Sequence, residues 1–173
     1  MWKLRNQDES ADDNEGQERN SVMPQSLSAM FIHVVFSTHQ RKDIFQNPEL
    51  RQRVHRYLGG ITRNLDSPLY AVGGTTDHVH ALIRLGKTVP IATLVKEIKR
   101  NSTLWIREQD EFNATGFSWQ AGYGAFSVSE SNVPAVSDYI ARQEEHHRKW
   151  TFQDEFILLL KKHNIAFDEK HLW

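Results

Sequence analysis

The sequence predicts an α+β domain of the ferredoxin-like, split βαβ kind, with an antiparallel sheet, helices on one face and extra helices at the C-terminal end. Three observations carry that expectation. Apolar alternation or dense apolar runs mark strands near residues 26–38, 69–73, 78–85 and 117–129. Helical stripes with a proline at the start fill the gaps at 48–65 and 89–109, which sets the order strand, helix, strand, strand, helix, strand. A length of 173 residues with 39% hydrophobic content suits one domain with a substantial core.

Residues 1–25 form an acidic leader, with Met23 as an alternative start. Its first twenty residues hold three basic and six acidic groups and no periodicity, so the expectation is disorder. The main domain is placed at 26–150 and a C-terminal helix and tail at 151–173. In the first strand Ile32, Val34 and Phe36 share one face while Phe31, His33 and Val35 share the other, an apolar load that suits a central strand. A loop with Arg41 and Lys42 leads to Asn47-Pro48-Glu49, which reads as a capping side chain, a first-turn proline and an early acidic residue. Leu50, Val54, Leu58, Ile61 and Leu65 are the buried stripe of that helix, Arg51, Arg53, Arg56 and Arg63 lie off it, and Gly59-Gly60 weakens its middle.

The second and third strands form a hairpin over Gly73-Gly74-Thr75-Thr76. In the third, Val79, Ala81, Ile83 and Leu85 face the helices, whereas His78, His80, Leu82 and Arg84 share the opposite face. The next helix turns Ile91, Leu94, Val95, Ile98 and Trp105 inward and carries Lys96, Lys99, Arg100, Thr103 and Arg107 outside, a surface suited to phosphates. A polar loop precedes the glycine-spaced aromatic run 117–129, where Tyr123 and Phe126 are candidates either for base stacking or for the core. Ser131-Asn132 and Pro134 start a helix anchored by Val133, Val136 and Ile140. Thr151 opens the last helix, with Phe152, Phe156, Leu159, Leu160 and His163 as its spine.

Composition excludes several chemistries. With no cysteine there are no disulfides, thiolate metal sites or cysteine nucleophiles. No apolar run approaches the roughly 18 residues of a membrane span, and no signal-peptide core is seen, which places the chain in the cytoplasm with no membrane partner. The net charge of −1 conceals a central block, residues 37–107, with twelve basic and five acidic groups, which suits a polyanionic partner.

The chemistry concentrates at Asp77-His78-Val79-His80. Alternation along a strand points both imidazoles the same way, about 7 Å apart, where they can share one divalent ion but need a further ligand. Tyr139 and Gln143 stand one helical turn apart, the phenol beside an amide oxygen that a metal-assisted nucleophile requires. His146 falls on the same edge and competes with Gln143 as third ligand, and His33 is a core histidine that could neighbour the ion.

His78-Val79-His80, Tyr139-Ile140-Ala141-Arg142-Gln143, the strand His33-Val34-Val35-Phe36-Ser37-Thr38 and the run Trp119 to Val128 together resemble the HUH-type single-tyrosine transposases of bacterial insertion sequences, including their repeat-associated relatives. The resemblance implies Tyr139 as nucleophile, His78, His80 and Gln143 as ligands, and Mg²⁺ or Mn²⁺ as cofactor. It further implies single-stranded DNA with an imperfect hairpin as substrate, a covalent 5′-phosphotyrosine and a homodimer in which the tyrosine helix can serve the partner's histidine pair. Arg41, Lys42, Arg84, Lys96, Lys99, Arg100 and Arg107 are the candidate DNA contacts. Two rival readings remain: a hairpin-binding protein without catalysis, and a metal-dependent phosphodiesterase that uses water.

Overall fold

The computed structural model describes residues 26–114 and 116–172, so the expectation of a disordered leader lies outside the described residues. Four strands, β1 (Phe31–Ser37), β2 (Leu69–Gly74), β3 (His78–Arg84) and β4 (Gly124–Val128), form one sheet in the order β2-β3-β1-β4. Every ladder is antiparallel. β1 is central, as its two apolar faces require, and all seven of its residues are buried. Helices α1 (Pro48–Asn64) and α2 (Ile91–Arg107) cover one face, where Val34, Phe36, Val54, Leu58, Ile83 and Ile98 join the main core. This is the expected split βαβ arrangement.

The opposite face is covered too, by α3 (Val133–Ala141) and α5 (Phe152–Lys162). Phe126, Phe152, Phe156 and Leu160 pack on Val35, while Ile140 packs on Phe31 and Leu82. His78 and His80 therefore lie under helices and not on an open sheet surface, with only 1% and 0% of each residue exposed.

Local chemistry explains the helix starts. The Asn47 side chain accepts from the backbone N–H groups of Glu49 and Leu50, with Pro48 in the first turn, and the Thr151 hydroxyl accepts from Asp154. Helix α1 runs unbroken through Gly59-Gly60 because its stripe is held by the core on both sides of the pair. Three expectations need correction. The fourth strand is confined to 124–128, and upstream of it only Trp119 bridges to Thr38, since Trp119 turns into the core and donates to the Ser102 hydroxyl. Arg51 is buried, bonded to the Phe45 carbonyl and paired with Glu144, because a guanidinium can satisfy a loop carbonyl that no backbone group reaches. The tyrosine helix ends at Ala141, and Arg142 (φ −98°, ψ 19°) separates it from α4 (Gln143–His146).

Helix α3 sits directly on β2. Gly73, opposite His80 in the ladder, lies so close that a Cβ there would come within 2.1 Å of the Ile140 carbonyl oxygen. Only glycine allows this approach. Gly73→Ala is therefore expected to push α3 off the sheet and cost about 1–3 kcal/mol, read as a fall in urea midpoint at unchanged m-value. A variant as stable as the parent would contradict this seating.

Candidate active site

The hairpin from β2 to β3 aims both imidazoles at one place and fixes each from behind. His78 Nδ1 donates to Asp77 Oδ1 at 2.7 Å, with Thr75 Oγ1 at 3.0 Å. Asp77 is itself anchored by Arg41 at 2.6 Å. His80 Nδ1 lies 2.9 Å from His33 Nε2, so the expectation of a satisfied core histidine at position 33 holds. The Nε2 atoms of His78 and His80 are both buried without a hydrogen-bond partner. A carboxylate behind one ring nitrogen leaves the other with a lone pair, as metal-binding histidines require.

Glu155, on α5 and 1% exposed, receives groups from three directions. Its Oε1 accepts from the Tyr139 hydroxyl and, at 2.9 Å, from Gln143 Nε2. Its Oε2 lies 3.0 Å from His147 Nε2 and 3.2 Å from His80 Nε2, the latter without hydrogen-bond alignment. His146 Nε2 is farther, 3.7 Å from Oε1. Ligand atoms of His78, His80, His147 and Glu155 all fall within 4.8 Å of one another. Four ligands set tetrahedrally around an ion at 2.0–2.2 Å stand about 3.5 Å apart, so the widest pair of this set must close by roughly 1 Å to hold one. The buried, unpartnered oxygen of Gln143 belongs to the same locality. These donors fit a divalent ion.

The electrostatics agree with a neutral His78 beside an ionised carboxylate. Burial, only partly offset by Asp77, pushes His78 down from 6.5 to about 4, and burial together with His80 pushes His33 down to about 3. Burial works against ionised Glu155, but His147, His80 and Tyr139 outweigh it and hold the carboxyl well below the usual range. Burial first, then Glu155, raise the Tyr139 phenol well above its ordinary 10, so the resting hydroxyl is protonated. A cavity of about 510 Å³ opens beside it, lined among others by Phe126, Asn132, Tyr139, His146, Glu155 and Lys162.

These buried histidines make a prediction for the metal-free chain. His33, His78 and His55, the last pushed to about 4 by burial and by Arg51, resist protonation when folded but titrate near 6.5 when unfolded. Below 6.5 the unfolded state binds more protons, so stability is present at neutral pH and lost as pH falls through the window from 6.5 toward 4. Urea unfolding in EDTA should show a loss of roughly 3–6 kcal/mol between neutrality and pH 5, about 2 kcal/mol for each histidine at most. A flat profile over that window would contradict it.

The candidate DNA-contacting residues divide. Lys42, Lys96 and Arg100 are exposed, Arg100 within 3.8 Å of Glu97. Exposed Arg84 reaches the Ser28 carbonyl at 3.5 Å. Three others are engaged in intramolecular contacts, Arg107 while remaining exposed: Arg41 to Asp77 and over the Phe152 ring, Arg107 to the Phe117 carbonyl, and Lys99 to the carbonyls of residues 120 and 122. Phe126 is 2% exposed and packs against His33 and His163, which removes it as a stacking platform, whereas Tyr123 is 40% exposed.

Sequence reasoning brought His78, His80, Tyr139 and Gln143 together and missed His147 and Glu155. Glu155 carried one usable signal. It sits between Phe152 and Phe156 and Leu159, on the spine side of an amphipathic helix where an acidic residue needs a partner.

A family model described as IS200-like transposase matches residues 26–143. Among solved structures, the chain is similar to a candidate transposase from Deinococcus radiodurans R1, with 21% identity, a TM-score of 0.53, and coverage of 70% of this chain and 95% of that one. It is also similar to a REP-associated tyrosine transposase bound to a REP hairpin, with 13% identity, a TM-score of 0.53 and coverage of 72% of each chain. At these identities the two structures speak for the fold. No curated protein sequence gives a significant match.

Proposed function

The chain belongs to the IS200-like transposases, and from that premise we propose that it cleaves and rejoins single-stranded DNA at hairpin-bearing element ends through a covalent 5′-phosphotyrosine. One observation carries the reading: the Tyr139 hydroxyl and the His80 imidazole reach the two oxygens of one buried carboxylate, within a single chain. The proposed nucleophile and the histidine pair thus meet at one carboxylate.

Tyr139 supplies the attacking oxygen. Attack at the scissile phosphorus forms the bond from the Tyr139 oxygen to phosphorus and breaks the bond to the 3′-oxygen, which takes up, net, the proton lost by the phenol and leaves as a free 3′-hydroxyl. Reversal by another 3′-hydroxyl rejoins the strand without an external energy source. Glu155 holds the phenol in place and is itself held by Gln143, while α3 and α5 cover the sheet face that carries the histidine pair. His78, His80 and Gln143 would hold Mg²⁺ or Mn²⁺, which when bound supplies Lewis-acid polarisation of the phosphate. Imidazole donors favour manganese over magnesium.

The REP-hairpin complex of the structural relative suggests the substrate class, and the exposure of Lys42, Arg84, Lys96 and Arg100 supports them as phosphate contacts. Among the described residues no helix is long and apolar enough to cross a membrane. A homodimer, which family membership suggests, is tested by light scattering with and without DNA. The deciding experiment is incubation with end-labelled hairpin DNA and Mn²⁺, followed by a denaturing gel. A protease-sensitive DNA–protein band supports the proposal, and free cleaved ends with no such band overturn it.

A further inference from the structure

We propose that His147 and Glu155 are additional ligands of the ion assigned above to His78, His80 and Gln143, so that a single carboxylate holds the ion on one oxygen and the tyrosine nucleophile on the other. The inference rests on the metal-site part of the proposed function. It rests also on two independent features of the chain.

The first is a convergence of ligand atoms. His147 Nδ1 lies 2.9 Å from the Trp150 carbonyl, an acceptor that keeps a ring proton on that nitrogen, and its Nε2 lies 3.0 Å from Glu155 Oε2, where it can serve as a ligand. His78 likewise spends its ring proton on Asp77, leaving Nε2 bare and buried. Three imidazole nitrogens and an ionised carboxylate oxygen thus converge on one buried spot, an arrangement that a cation between them relieves. The second is the division of labour within Glu155. Oε2 faces the histidines, while Oε1 is occupied by Tyr139 and Gln143. Filling the ion site therefore need not release the phenol.

This ligand set has consequences that two histidines and an amide lack. The carboxylate lowers the net charge of the loaded site from +2 to +1 and raises its affinity. Three imidazoles bias selection toward manganese or zinc and away from magnesium, which prefers oxygen donors and keeps its waters. The set also makes α5 part of the metal site, so residues 151–173 are not an appendage to a catalytic unit ending at 150.

The test is Mn²⁺ titration by calorimetry into the EDTA-stripped full-length chain, with Glu155→Gln, His147→Ala and His78→Ala beside it. The proposal expects a loss of at least 10–100-fold in Mn²⁺ affinity in each variant, and at least tenfold tighter binding of Mn²⁺ than of Mg²⁺ by the wild type. Wild-type affinity in both Glu155→Gln and His147→Ala, with loss only in His78→Ala, overturns it and leaves the two-histidine site standing. Absence of Mn²⁺ uptake by the wild type overturns the metal site altogether, and adduct formation then judges the tyrosine separately. Because a buried substitution can impair folding, pulsed EPR of the Mn²⁺-loaded wild type provides a mutation-free reading. Three coupled imidazole nitrogens are expected, and two overturn the assignment of His147.

Discussion

Replacing Tyr139 with phenylalanine is expected to abolish the covalent DNA adduct and to lower strand cleavage on the order of 10⁴-fold or more, with hairpin affinity unchanged within about twofold. The variant removes one oxygen. The ring stays in place against His33, His80 and His146, with centroid separations of 6.2, 6.0 and 5.4 Å, and Ile140 beside it remains fully buried, so α3 keeps its seat. Glu155 Oε1 still accepts from Gln143, which leaves no buried carboxylate oxygen stranded. The stability change should therefore stay near 1 kcal/mol, small enough that lost activity cannot be ascribed to unfolding. Denaturing gels and fluorescence anisotropy on the same preparation make the measurement. Cleavage without adduct at the wild-type rate would transfer the attack to water, and unchanged binding with no cleavage in the wild type either would leave a hairpin-binding protein.

The second large effect concerns the histidine pair. His78→Ala and His80→Ala are each expected to lower the adduct-forming rate on the order of 10³-fold and to weaken Mn²⁺ binding by at least 10–100-fold. Neither Nε2 atom makes an aligned hydrogen bond within the chain, although His80 Nε2 lies 3.2 Å from Glu155 Oε2, so loss of Mn²⁺ affinity is read directly in the titration, apart from any loss of stability. The two variants should differ in stability. His78 leaves behind Asp77, which keeps Arg41, whereas His80 leaves His33 without its ring partner and removes one of the two imidazoles facing Glu155 Oε2. Melting in EDTA should accordingly drop further for His80→Ala. Equal adduct yields in wild type and both variants would remove metal assistance from the mechanism.

Much of this chain is legible one element at a time. The period of two in residues 31–37 and 78–84, the Asn47-Pro48 helix start and the glycine-bearing turn are local signals, and the order of elements follows from them with the ferredoxin-like sheet. Alternation alone put His78 and His80 on one face, and the short spacing from Tyr139 to Gln143 kept those two close even though the helix breaks at Arg142.

Sequence alone settled which residue types were available: imidazoles, an amide and a phenol, with no thiolate. Tertiary structure alone decided which of them meet. Glu155 and His147 reach the histidine pair because α5 folds back over the sheet face that α3 leaves open, and burial of Phe152, Phe156 and Leu160 against Val35 and Phe126 drives that return. Nonpolar burial has no direction in sequence, so nothing near position 155 tells which strand its helix will cover. The same packing sends Lys99 and Arg107, outward by helical period, to the carbonyls of residues 117–122, because a loop without its own ladder must find donors elsewhere.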